Sequence, residues 1–167
     1  MTKLASALAA LSFELASRID EEEVAELVRK SLLDAAAAAV AACKTDVFAT
    51  AKRFSAAAYG AGHSSFWFSP ELGTSALGAV FANASAMSAL DIDDGNRAAR
   101  GHLGAAIIPV ATAIGSQVDA SERQFGGAVL AGCEIGAFLG AAEQPAFSAS
   151  GRWAGVGAAV AAGLLLD

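Results

Sequence analysis

Carboxylates, guanidinium groups and an imidazole gather in one short passage, Asp91-Ile92-Asp93-Asp94-Gly95-Asn96-Arg97 followed by Arg100-Gly101-His102, between segments made almost wholly of Ala, Leu, Ile, Val and Gly. Burying such groups is costly unless they are paired or used. His102 has the chemistry of a general acid or base, since an unperturbed imidazole titrates within reach of neutral pH. Asp93 and Asp94 can orient that ring or act as bases themselves, and like charges held close raise the pKa of one of them. Asp91 either joins them or accepts backbone N–H bonds from the loop. Arg97, Arg100 and, further on, Arg152 are candidate clamps for an anionic ligand, because a planar guanidinium grips a carboxylate with two hydrogen bonds. Arg152 also stands near an expected helix start, where free backbone N–H groups favour anions. The spacing of the carboxylates and His102 matches no common zinc or calcium pattern, so neither a metal nor another cofactor is expected. His63 lies outside any motif and reads as structural. Each group taken alone has a plainer alternative: a solvated arginine, a packed histidine, an ordinary Asp94-Gly95 turn.

The elements that must position these groups read as helices. Apolar residues recur at three- and four-residue spacing nearly everywhere, and the alternation of a half-buried strand is missing, so the fold class is all-α. Thr2 caps a first helix to about Ser17, and Asp20 with Glu23 forms a capping box for a second whose Val24, Leu27, Val28 and Leu32 define one buried face. The small residues of Ala35 to Ala42 continue that helix and let a neighbour approach closely. A third helix spans Asp46 to Tyr59, and the Gly60 to Ser65 stretch that follows is a loop with room for a short extended piece. A fourth helix, from about Ser75 to Leu90, delivers Asp91, Asp93 and Asp94 at its C-terminal end, where the helix dipole disfavours carboxylates. The fifth covers Ala105 to Gly115 with Pro109 near its first turn. Ser121 and Gln124 offer a capping box for a sixth helix ending near Ala142, and Glu134 in its middle would need a cation if buried. Ser148 to Trp153 opens a last helix, Ala154 to Leu166.

With 167 residues and neither repeat nor linker, residues 1–167 are expected to form a single helical domain. The 55% hydrophobic content and mean hydropathy of +0.49 come largely from alanine, a helix former more than a greasy residue. The most apolar stretch, Gly101 to Val118, is interrupted by His102, Pro109, Ser116 and Gln117, which argues against a membrane span. The N-terminus meets acidic residues too early for a cleaved signal peptide. A net charge of -6 supplies no footprint for a phosphate backbone, which excludes nucleic acid as a natural partner. Cys43 and Cys133 fall in different helices and read as separate buried thiols, consistent with a reducing, cytoplasmic setting.

The chain resembles the N-terminal helical part of the MmgE/PrpD family, which includes 2-methylcitrate dehydratase, cis-aconitate decarboxylase and iminodisuccinate epimerase. The resemblance is carried by Leu90-Asp91-Ile92-Asp93-Asp94, His102-Leu103-Gly104, Ile107-Ile108-Pro109, Ala131-Gly132-Cys133-Glu134-Ile135 and the Gly151 to Asp167 helix. Asp-Ile-Asp-Asp-Gly together with Ser150-Gly151-Arg152-Trp153 is more like the epimerase branch than the dehydratase branch, although Asn96 replaces the epimerase branch's usual His and Leu103 the family's usual Pro. The likeness implies a compact multi-helix domain without the α/β second domain of full-length members. It implies an enzyme of the isomerase or lyase type that removes a proton next to a carboxylate in a small di- or tricarboxylic acid, as an epimerase before a dehydratase or decarboxylase. His102, Asp91, Asp93 and Asp94 would be catalytic, and Arg97, Arg100, Arg152, Asn96 and Ser150 would bind substrate. A homo-oligomer, such as a dimer, is expected because Ala/Gly-rich helices leave apolar surface. Two alternatives remain: half of a two-chain enzyme whose partner carries the C-terminal domain, and a non-catalytic dimerisation or scaffold module.

Overall fold

A computed structural model describes residues 3–69, 73–142 and 150–167, with side chains in the last segment from Arg152 onward. The described chain holds the helices α1 (Lys3–Ser17), α2 (Glu22–Ala42), α3 (Asp46–Tyr59), α4 (Ala76–Ser88), α5 (Gly104–Gln117), α6 (Glu122–Ala142) and α7 (Ser150–Leu166). A 3-10 turn at Arg18–Asp20 joins α1 to α2, and the strand β1 (Ala61–Ser64) pairs only by isolated bridges to Thr74. The fold is therefore all-α. The Thr2 cap lies outside the described residues.

Small side chains decide how closely the helices pack. On α2 the positions Val28, Leu32, Ala35, Ala39 and Ala42 repeat at heptad spacing and turn inward, with Ala35, Ala39 and Ala42 at most 2% exposed. Leu27, expected on that face, is one residue out of phase and 62% exposed, sharing its side of the helix with Ser31 and Asp34. The alanine face of α2 meets α4, where Ala79, Ala82 and Ala86 are buried. Between α6 and α7 the backbones nearly touch: a Cβ built on Gly132 would stand 2.7 Å from the carbonyl oxygen of Gly157, so neither glycine has room for a side chain. Asn83, buried in α4, pins the preceding loop by accepting from the Trp67 N–H at 2.9 Å and donating to the Ser65 carbonyl at 3.2 Å.

The helix starts show which local signals the chain uses. Thr45 accepts from the Phe48 N–H and Ser75 from the Gly78 N–H, capping α3 and α4. At α6 the expected box is made in both directions, Gln124 N–H to Ser121 Oγ and Ser121 N–H to Gln124 Oε1. The box expected at α2 is not made. Asp20 instead takes two hydrogen bonds from Arg123 on α6, at 2.8 and 2.6 Å, and Glu21 becomes an N-cap with no side-chain cap bond. Pro109 is the sixth residue of α5, one residue deeper than expected because the helix starts at Gly104, and is fully buried. Glu134 is exposed, so its carboxylate needs no buried partner. The one described helix long and apolar enough to cross a membrane is α6, not the Gly101 to Val118 stretch; half of its apolar window is buried inside the fold, where it packs on α7 and α1.

Candidate functional site

Residues 89–103 connect α4 to α5 and carry most of the chemistry. The fourth helix ends at Ser88, two residues before the expected boundary, and Asp91 then takes a left-handed backbone conformation (φ 54°) that an aspartate tolerates better than a bulky residue does. The aspartates therefore sit in an irregular segment, and helical spacing does not relate Asp91 to Asp94. The next stretch is held by its own bonds. Asn96 and Gly101 exchange backbone hydrogen bonds at 2.9 and 3.3 Å, and the Asn96 side chain accepts from the Ala99 N–H at 2.8 Å. This closes a tight turn in which Arg97, Ala98 and Arg100 are exposed and Ala99 is buried.

The two neighbouring aspartates have different fates. Both oxygens of Asp94 accept from the Gly104 N–H, at 3.0 and 3.1 Å, so Asp94 caps the start of α5 from ten residues upstream. Gly104 makes that possible, because a Cβ there would stand 2.6 Å from Asp94 Oδ1. Backbone capping, weighed for Asp91, is thus the work of Asp94. Asp93 turns inward: its side chain is 2% exposed, and Oδ2 lies 3.5 Å from His102 Nδ1, just beyond a made hydrogen bond. These two atoms are both buried and both lack a hydrogen-bond partner. On the other edge of the imidazole, Nε2 lies 3.7 Å from Oδ1 of the highly exposed Asp91. His102 is therefore flanked by a buried and a solvated carboxylate.

Burial raises the Asp93 carboxyl above its ordinary value, with Asp91 and Asp34 pushing the same way and a backbone hydrogen bond and His102 opposing. Asp94 is raised for the same first reason, against the Gly104 N–H it binds. Desolvation also pushes the Cys133 thiol to about 12, and Cys43 and Cys133 are both free.

Asp91, Asp93 and His102 line a cavity of about 360 Å³, with Ser88 and Ala84 of α4, Ala105 and Ala106 of α5 and Ala154 of α7 completing its wall. The other expected site residues do not join that lining. Asn96 is committed to its turn, and Arg97 and Arg100 are exposed on the same turn. Arg152 is exposed on α7 with its guanidinium 4.9 Å from the Trp153 ring centre. Ser150 begins α7, but its side chain lies outside the described residues. Ser88 and the four alanines were not foreseen; as small residues inside helices they carry no chemical signature, and only the convergence of α4, α5 and α7 reveals them.

The model of the MmgE/PrpD N-terminal domain matches residues 3–167. The chain belongs to the MmgE/PrpD family. It matches no curated protein. The match runs from α1 to α7, so in this MmgE/PrpD domain the cavity is built entirely from within the matched region. Three residues that carried the family likeness in sequence, Asp91, Asp93 and His102, are the polar groups that meet there with Ser88.

Proposed function

We propose that this MmgE/PrpD domain does acid–base chemistry at a carbon next to a carboxylate, in a small di- or tricarboxylic acid. The observation that carries the reading is the placement of His102 in a cavity wall with Asp93 buried behind one ring nitrogen and Asp91 beside the other. Asp93 would accept the Nδ1 proton and fix the tautomer, which leaves Nε2 as the base facing the cavity. The heavy-atom separation of 3.5 Å fits a ligand-free site, since catalytic hydrogen bonds often tighten only around substrate. Nε2 takes the C–H proton, and the electron pair left on carbon is delocalised into the adjacent carboxylate. Return of a proton from solvent to the opposite face inverts the centre, as in an epimerase. Loss of a neighbouring hydroxyl as water, with a proton supplied to the leaving oxygen, gives a dehydratase. A decarboxylase would run without C–H abstraction, the electron pair left by departing CO2 taking up a proton. Epimerisation is the first choice because it needs only proton transfer.

Recognition of the substrate's carboxylates would need an arginine to move. Arg97 and Arg100 can serve if the Asn96–Gly101 turn folds toward the cavity, and Arg152 if it leaves the Trp153 ring. The experiment is proton exchange: iminodisuccinate, citrate-like acids and cis-aconitate are incubated with the protein in D2O and followed by NMR. Exchange of the carbon-bound proton in at least one acid, lost in His102→Ala, is expected. Absence of exchange in all of them, together with no shift of the melting temperature by any, overturns the reading for the chain alone; exchange restored by a chain carrying the family's C-terminal domain would identify a two-chain enzyme.

A further inference from the structure

We propose that Asp91, Asp93 and His102 form a binding site for a zinc-class divalent cation, with an open coordination position facing the cavity. Each residue offers one ligand atom, and the three lie within 4.8 Å of one another. Ligands around a tetrahedral ion bound at about 2.1 Å stand roughly 3.4 Å apart. Asp93 Oδ2 and His102 Nδ1, at 3.5 Å, are nearly at that spacing. The remaining closure falls to Asp91, whose 90% exposed side chain can move at little cost.

A second observation, independent of the clustering, points to a ligand. Asp93 Oδ2 and His102 Nδ1 are buried atoms with no hydrogen-bond partner, and both residues line the cavity. Leaving a buried carboxylate oxygen unsatisfied is costly, and a cation in the gap would remove that cost. The local field favours it as well, since Asp91 and Asp34 are both negative charges acting on Asp93. One imidazole with two carboxylates suits zinc-class ions better than magnesium or calcium, which prefer all-oxygen shells. Three protein ligands leave a further position. It faces a wall of Ala84, Ala105, Ala106 and Ala154, whose methyl groups leave room for water or an incoming carboxylate.

This site stands apart from the proton-transfer reading, because a cation can be held whether or not an acid turns over. The two uses exclude each other at any one ring nitrogen, which cannot hold metal and take a proton together. The test is Zn2+ titration of the metal-stripped full chain in competition with a chromophoric chelator, with Co2+ as a spectroscopic substitute. One equivalent is expected to bind, weakened at least tenfold in Asp91→Asn and in His102→Ala. His63→Ala and Cys43→Ser should bind as the parent does, and a hundredfold excess of Mg2+ should not displace the ion. Asp91→Asn keeps the test decisive if His102→Ala proves unstable, since Asp91 is exposed. No stoichiometric binding, binding unchanged in Asp91→Asn, binding lost instead in His63→Ala or Cys43→Ser, or displacement by Mg2+ would each overturn the proposal.

Discussion

Two charged regions of this molecule follow opposite rules. Along the flank formed by the 3-10 turn, α2 and the start of α6, opposite charges meet: Arg123 grips Asp20, Arg18 donates to Glu21 at 2.9 and 3.1 Å, and Arg29 bridges Glu22 and Glu26. All these side chains are well exposed, where an unpaired charge costs little. In the α4–α5 connection the pattern inverts, since the Asp93 carboxylate is 2% exposed and has an oxygen with no partner. Opposite charge is supplied on the exposed flank, while in the connection one buried oxygen of Asp93 is left without a hydrogen bond. Charge placed in this way works against stability, so the place to look for what the chain does is the connection and not the flank.

The contrast can be broken or sharpened by substitution. The largest expected effect is on activity: His102→Ala should slow proton exchange by about 10²- to 10⁴-fold on whichever acid the NMR experiment identifies, while Arg123→Ala leaves it unchanged. Retention of the rate in His102→Ala would move the chemistry elsewhere. Next comes Asp94→Ala, which removes the cap on α5; urea denaturation should show a loss of about 1–2 kcal/mol. A neutral result there would mean that Gly104 finds another acceptor.

Asp93→Asn should go the other way, raising stability near neutral pH by on the order of 1 kcal/mol, because it removes a buried charge and keeps the shape. The sign of the pH dependence follows from the same group. The Asp93 and Asp94 carboxyls are both raised in the folded chain, so the folded state holds protons that the unfolded state has already released. Their contribution to stability is present below the ordinary carboxylate range and is lost as pH rises through the raised values. Asp93→Asn should flatten that fall in a series of unfolding curves; an unaltered slope would remove Asp93 from the account. The smallest effect belongs to the flank: Arg123→Ala should change the melting temperature by little more than its scatter, and raising the salt concentration should erase even that.

Much of this was readable from residue patterns, and the exceptions have physical causes. The Asp46–Tyr59 helix and the Ser121/Gln124 box are local features, set by residues within a turn of each other, and both stand where the pattern puts them. Asp20 went astray because its partner is 103 residues away, and a local capping signal says nothing about a distant arginine. Leu27 looked buried by type, but the phase of the alanine face excludes it. At the site, the Asp-rich signature and His102 lie in the passage that contributes the polar lining of the cavity. The division of labour inside it was hidden, because once Asp91 turns left-handed no periodic rule tells which of Asp91, Asp93 and Asp94 points inward. The separation of Arg97 and Arg100 from the cavity is likewise a matter of one turn's closure.

That turn has a consequence of its own. Asn96 and Gly101 clasp each other and Ala99 between them is buried, so two anchors bring the chain from Asp93 back to His102. Arg97 and Ala98 stand at an outward-facing port, where extra residues could be spliced in while the spacing of the acids and the imidazole stays as it is. The junction thus separates what can be lengthened to greet a new ligand or carry a reporter from what must hold still.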